Sequence, residues 1–251
     1  MTELSGRGDP GRTMALLWRT HEPPARGPKP GLNVDRIVRA AIEIADAEGL
    51  AALSMRRVAD RLGVGTMSLY TYVPGKAELI DLMLDMIYGE TARPPRVDGG
   101  WRGALEQVAR ENWALCHRHP WMLYVSIGRP LAGPHETAKY DHELRAVDGV
   151  GLSDVEMDAA LRLVLGHVHA AARSSIEKAG VEHASGMTDA QWWRKHAPLL
   201  EKVVDAGRYP IAARVGEAVG VEFDAAFSPE YAFEFGLQRI LDGIEALIQT
   251  R

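Results

Sequence analysis

The stretch LGVGTMSLYTYVPGKAEL, residues 62–79, holds the end of one helix, a second short helix and the start of a third. Leu62-Gly63 closes the first, Thr66–Tyr72 forms the second up to Pro74-Gly75, and Lys76 opens the third. With Leu69 taken as the inward residue and a step of about 100° per residue, Met67 and Thr71 point directly away from the core. Ser68 and Tyr70 flank them. An outward face with hydroxyls at 68, 70 and 71 and no acid suits a groove lined by phosphates and base edges. An ordinary solvated helix face carries Glu or Lys.

Working outward, Asn33 caps a helix in which Val34, Ile37, Val38, Ala41, Ile44 and Ala45 recur at helical spacing and Gly49 is the stop. Ser54 caps a second segment that ends at Leu62, with Val58 and Leu62 inward. Three short helices in about forty residues, the last two joined by Gly63-Val64-Gly65, have helix-turn-helix spacing. Arg56 and Arg57 open the second helix and Lys76 opens the fourth.

The helical pattern then persists to the carboxyl end. Helices are expected over 76–90, 100–118, 120–127, 134–148, from Ser153 to a stop at Gly180, over 188–206 with a break at Pro198, over 211–219, and from Ser228 to about Ile248. Ser153 with Glu156, and Ser228 with Pro229, are helix-start signals. Val181–Met187 is expected as a loop. No segment sustains period-two alternation, so the fold class is all-α. Residues 1–31, rich in Pro and Gly, are expected as a flexible arm, because they bury too little apolar surface to offset their ordering entropy.

Residues 32–86, and above all 62–79, resemble the DNA-binding region of the tetracycline-repressor (TetR) family of bacterial transcriptional regulators. The resemblance implies a helix-turn-helix DNA-binding domain over 32–78, joined by a fourth helix to a larger all-helical effector-binding and dimerisation domain over 79–251. It implies that Arg56 can reach a guanine edge, with a phosphate contact as the alternative, that Thr66, Ser68, Tyr70 and Thr71 face the groove beside the outward Met67, and that Tyr72 and Lys76 contact phosphates. A dimer would place two reading helices roughly 34–36 Å apart on a near-palindromic operator. A small-molecule effector would release it by shifting the 76–90 helix.

Trp113, His117, Trp121, Tyr124, His167 and Trp192 are candidates for an effector pocket, set against plain core packing. Phe233, Leu237, Ile240, Leu241, Ile244, Leu247 and Ile248 form one apolar stripe on the last helix. Leu237, Ile240, Leu241, Ile244 and Ile248 are expected at a two-fold interface, with packing inside the subunit as the alternative.

The 251 residues, 46% hydrophobic and 25% charged, exclude wholesale disorder. A single cysteine, Cys116, excludes an intrachain disulfide and a Cys-only metal cage. With no signal-peptide core and no apolar run of membrane length, a cytoplasmic protein is expected. His167 and His169 lie about 200° apart on a helix and cannot chelate one ion, while Cys116 and His119 share a face but supply only two ligands, short of the usual three or four for zinc. No metal or cofactor is expected. No P-loop, nucleophile elbow, HExxH or dinucleotide fingerprint is present, so no enzyme is expected. A helical enzyme using Glu106, Glu111 or the histidines, and an effector-independent DNA binder, stay open as alternatives.

The net charge of −5 counts against DNA binding until its distribution is read. Residues 26–61 carry seven basic side chains against five acidic ones, and 56, 57 and 76 are all cationic. Arg26 and Lys29 form a basic arm that can reach a minor groove.

Overall fold

Cap residues mark out the helices of the computed structural model, which describes residues 3–4, 8–20, 31–94, 96–126 and 128–250. The Asn33 side chain accepts from the Arg36 N–H to start α2 (Val34–Glu48), and Gly49 ends it. Ser54 caps α3 (Met55–Leu62) in the same way. Gly63, at φ 66° and ψ 33°, turns the chain with a left-handed conformation that costs a glycine little. Helix α4 (Thr66–Tyr70) follows at once, and α5 (Lys76–Tyr88) leads out of this unit.

Beyond α5 come α6 (Gly100–Arg118), a 3-10 turn over Pro120–Tyr124 and α7 (Pro134–Leu144). The long α8 (Asp154–Ser185) starts with the Ser153/Glu156 capping box. Then follow α9 (Asp189–Val203), α10 (Pro210–Phe223) and α11 (Pro229–Gln249), the last capped by Ser228. The fold among the described residues is all-α apart from a two-residue parallel pairing of Glu3–Leu4 with Val125–Ser126.

Five expectations change. The flexible arm is in part an ordered element, α1 (Pro10–Leu17), capped by Asp9 and seated on α5 with Leu16 and Leu17 buried. Its end is tied down by the Trp18 indole N–H donating to the Ala132 carbonyl at 2.9 Å and by an Arg19–Asp35 ion pair. The short apolar run around Met14–Trp18 was the signal for it. Arg26 and Lys29 lie outside the described residues. Gly180 does not stop α8, which continues to Ser185 and ends at Gly186 in the left-handed conformation. A mid-helix glycine costs only about 1 kcal/mol, and Lys178 fastens this stretch through an ion pair to Asp189 at 2.9 Å. Pro198 lies inside α9 and does not break it. Finally, the expected 120–127 helix is a 3-10 turn running into Val125–Ser126, and α7 ends at Leu144.

Two apolar cores result. The first joins α1–α5 to the end of α6 and the 3-10 turn, so it runs without interruption across residue 78. The second joins the start of α6 and the residues after α7 to α8 and α11. Trp113, on α6, packs against both. Asp85 of α5 accepts from the His135 and Glu136 N–H groups and so caps α7. A Cβ on Gly133 would stand 2.2 Å from that carboxylate, so the close approach requires glycine.

Candidate nucleic-acid interface

Leu69 and Val73 are fully buried and clamp α4 against α3, which fixes the rotation of the short helix. Its opposite side is therefore turned to solvent. Met67 is 78% exposed and Tyr70 40%; Thr71 is exposed, with Thr66 and Ser68 half-buried at the margins. No carboxylate lies between Thr66 and Tyr72.

The cations around this face differ in their ties. Arg57 is held by Glu48 at 2.5 Å and Arg61 by Glu43 at 2.8 Å, and these pairs pin α3 to α2. Arg56, whose side chain is 86% exposed, has only a loose 3.9 Å approach to Asp60. Such an exposed pair is worth little and yields readily to a phosphate or a base edge. Lys76 is half-buried at the first turn of α5. Tyr72 departs from the expected phosphate contact. It packs on the first core, and its hydroxyl is enclosed with no hydrogen-bond partner among the described residues. At about 60° from Leu69 on a helix it follows the core rather than the groove.

The six effector candidates are not brought together in one place. Trp113, His117 and His167 converge on Phe233 of α11. The Trp113 and Phe233 rings stack at 4.3 Å, the Trp113 and His117 rings lie 4.5 Å apart, and His167 Nε2 donates to the Phe233 carbonyl at 2.9 Å. His117 Nε2 meets Ser175 Oγ at 3.2 Å, and that hydroxyl donates to Glu230 at 3.1 Å. Tyr124 carries the Arg173 guanidinium 5.6 Å from its ring centre. Trp192 is exposed and stacks on His196 of its own helix. Trp121 is buried at the junction with α2, its indole donating to Asp46 at 2.8 Å.

Sequence reasoning missed a polar group inside the second half of the chain. Lys139 and Glu143 of α7 pair at 2.6 Å, both buried, and Asn112 donates to the same Glu143 oxygen at 2.6 Å. Glu143 also lines a cleft of about 160 Å³ between the 91–97 segment, α6 and α7. Burial pulls His169 down to about 4, with the charges of Lys139 and Arg173 adding to it. Burial pushes the Cys116 thiol up to about 12, which leaves it unreactive. No cluster of three or more His, Cys, Asp or Glu side chains fit for a metal occurs among the described residues. Nor is any helix there long and apolar enough to cross a membrane.

The expected interface residues on α11 also need correction. Leu237, Leu241 and Ile244 are buried inside the subunit against α8, and Ile240 and Ile248 pack against the same core. The stripe is the subunit's own core face. On the far side of the helix Tyr231 and Phe235 are exposed instead, while Leu247 is exposed at the edge of the stripe beside Ile240. On α8 the matching outward residues are Val155, Leu163, Gly166 and Ala170.

Comparison with known proteins agrees with this geometry. Residues 37–83 match the model of bacterial regulatory proteins of the tetR family, and residues 93–248 match the tetracyclin repressor-like C-terminal domain. The chain is 51% identical to the HTH-type transcriptional repressor DrrR1 of Streptomyces coeruleorubidus, over all of this chain and 91% of that one. It is 30% identical to the class A tetracycline repressor from transposon 1721 of Escherichia coli, over 85% of this chain and 90% of that one. The solved structure of ActR from Streptomyces coelicolor in complex with actinorhodin superposes with a TM-score of 0.73 at 28% identity, covering 86% of this chain and 97% of that one.

Proposed function

We propose, from the premise that the chain belongs to the tetracycline-repressor family of dimeric, effector-responsive DNA-binding repressors, that α4 reads a near-palindromic operator through its outward face. Arg56, Thr66, Met67, Ser68, Tyr70, Thr71 and Lys76 make the contacts. The observation that carries this reading is the acid-free, hydroxyl-bearing face of α4, held outward by the burial of Leu69 and Val73. Tyr72 supports the reader from inside. Residues 32–78 form the reading unit and 79–251 the effector and dimerisation unit, with α5 shared between them. A cytoplasmic location follows from a DNA partner.

Two subunits meet through the outward faces of α8 and α11. Val155, Leu163, Tyr231 and Phe235 are the apolar side chains there that would gain most from burial. The effector docks in the second unit near Trp113 and His117, where α6, α8 and α11 meet around Phe233. ActR binds actinorhodin, which makes that compound the first probe for thermal stabilisation of this protein.

Replacing Tyr70 by Ala tests the reader. On an operator recovered by selection from random DNA, the expected loss is about 10- to 100-fold in affinity with an unchanged melting temperature. Wild-type affinity in that variant refutes the assignment of α4.

A further inference from the structure

Only α5 connects the reading helices covalently to the second unit, but a second tie crosses the same boundary. His119 caps the carboxyl end of α6 and is 4% exposed. Its Nδ1 lies 2.8 Å from Asp46 Oδ1, on the last turn of α2, and its Nε2 lies 3.0 Å from Glu90 Oε2, just past α5. Two neighbours complete the group. The Trp121 indole donates to the same Asp46 oxygen at 2.8 Å, and Arg118 donates to the same Glu90 oxygen at 3.1 Å.

A neutral imidazole has one N–H and one lone pair. Facing a carboxylate oxygen at each nitrogen, it can donate to only one and must turn its lone pair on the other. Both bonds form together only when the ring is an imidazolium. The charged and titratable groups facing it are Asp46 from α2, Glu90 from the end of α5 and Arg118 from α6, so two carboxylates face one guanidinium and the imidazole. Burial pushes the Glu90 carboxyl up, but hydrogen bonds from His119 and Arg118 and their charges outweigh this and hold it below the usual glutamate range.

We infer that His119 is a positioning residue for operator binding, one that donates from both ring nitrogens, to Asp46 of the reading unit and to Glu90 at the end of the shared α5, and so fixes the reading unit against the effector unit. The inference rests on the reading of α4 as the operator-contacting helix. The path is short. Ion pairs Arg57–Glu48 and Arg61–Glu43 make α2 and α3 one body, and α4 is seated on α3, so a shift at Asp46 re-aims α4. On the other side, His117 and Trp113 lie on the helix that His119 caps, against Phe233. Loss of the His119 proton opens one side of the tie and leaves the reader less preorganised for two successive grooves.

The experiment measures operator affinity by fluorescence anisotropy for the full-length dimer at constant ionic strength, from about pH 6 to about pH 8.5. The duplex is one recovered by selection with the wild type. Wild-type affinity is expected to fall as pH rises. His119→Gln, which can donate on one side only, is expected to bind about tenfold more weakly at the acid end and to lose the pH step. His119→Arg, a permanent cation with several donors, is expected to regain affinity and to be flat with pH. Glu90→Gln provides a second variant at a more exposed site, and it is expected to blunt the same step. Thermal unfolding in parallel shows that each variant is folded. A folded His119→Gln or Glu90→Gln with wild-type affinity and a wild-type pH profile overturns the inference. A wild type that selects no duplex overturns the α4 reading itself, which is a different outcome.

Discussion

Helices α4 and α11 each bury one face and expose the other, but their exposed faces are built for different partners. On α4 the outward side chains are hydroxyls, one methionine and one tyrosine, with the loosely held Arg56 nearby. On α11 the outward side presents Tyr231 and Phe235, stacked at 6.0 Å. A hydroxyl face loses little by staying wet and gains by hydrogen bonding to phosphates and bases. An aromatic face gains chiefly by being covered. The first suits DNA and the second a second copy of the chain.

The largest effect that can break this contrast lies on the buried side of α11. Leu241→Ala is expected to destabilise the folded protein by about 2–5 kcal/mol in denaturant unfolding, because a cavity is left against α8. A cost near zero would return the Leu237–Leu241–Ile244 stripe to the dimer interface. On the outward side, Phe235→Ala is expected to leave the subunit folded and to raise the dimer dissociation constant at least about tenfold in sedimentation equilibrium. An unchanged constant would move the interface elsewhere.

The two units also differ in their response to acid. Residues 32–78 contain no histidine, whereas the second unit holds His169 at about 4. Between its ordinary value near 6.5 and about 4, the unfolded chain takes up a proton there that the folded chain does not. Stability is therefore lost as pH falls through this window, by roughly 3 kcal/mol at most. Circular dichroism melts of the wild type and His169→Asn across this range should diverge at the acid end, with the variant less sensitive. Parallel curves would contradict the burial of His169. The smallest effect is at the rim of the reader. Arg56→Ala should reduce the salt dependence of operator binding by about one unit of slope, or relax one base preference, and binding unchanged in both respects would place Arg56 off the DNA.

The reader was legible in the sequence because its signals are local. Asn33, Ser54 and Gly63 each fix a helix end by themselves, and one buried residue, Leu69, sets the rotation of the whole of α4. Elsewhere the deciding partner lies far along the chain. An apolar stripe on α11 looks the same whether it meets α8 of its own subunit or of another, and only the packing against Leu161, Val164 and Val168 decides. Helix α1 was hidden among prolines and glycines, though Leu16 and Leu17 find a cover on α5 that composition does not reveal. Asp46 and His119 stand 73 residues apart, and neither carries a signal of the other. Trp121 is an effector candidate on sequence grounds alone, and its indole N–H points at Asp46 instead.

Selection of bound DNA from a random pool by the purified full-length protein shows whether two copies of α4 read DNA together. The expected product is a two-fold symmetric site whose half-sites lie about one helical turn apart, with its enrichment lost when Tyr70→Ala is used in place of the wild type. No enriched sequence, or a single element without two-fold symmetry, would contradict that joint reading.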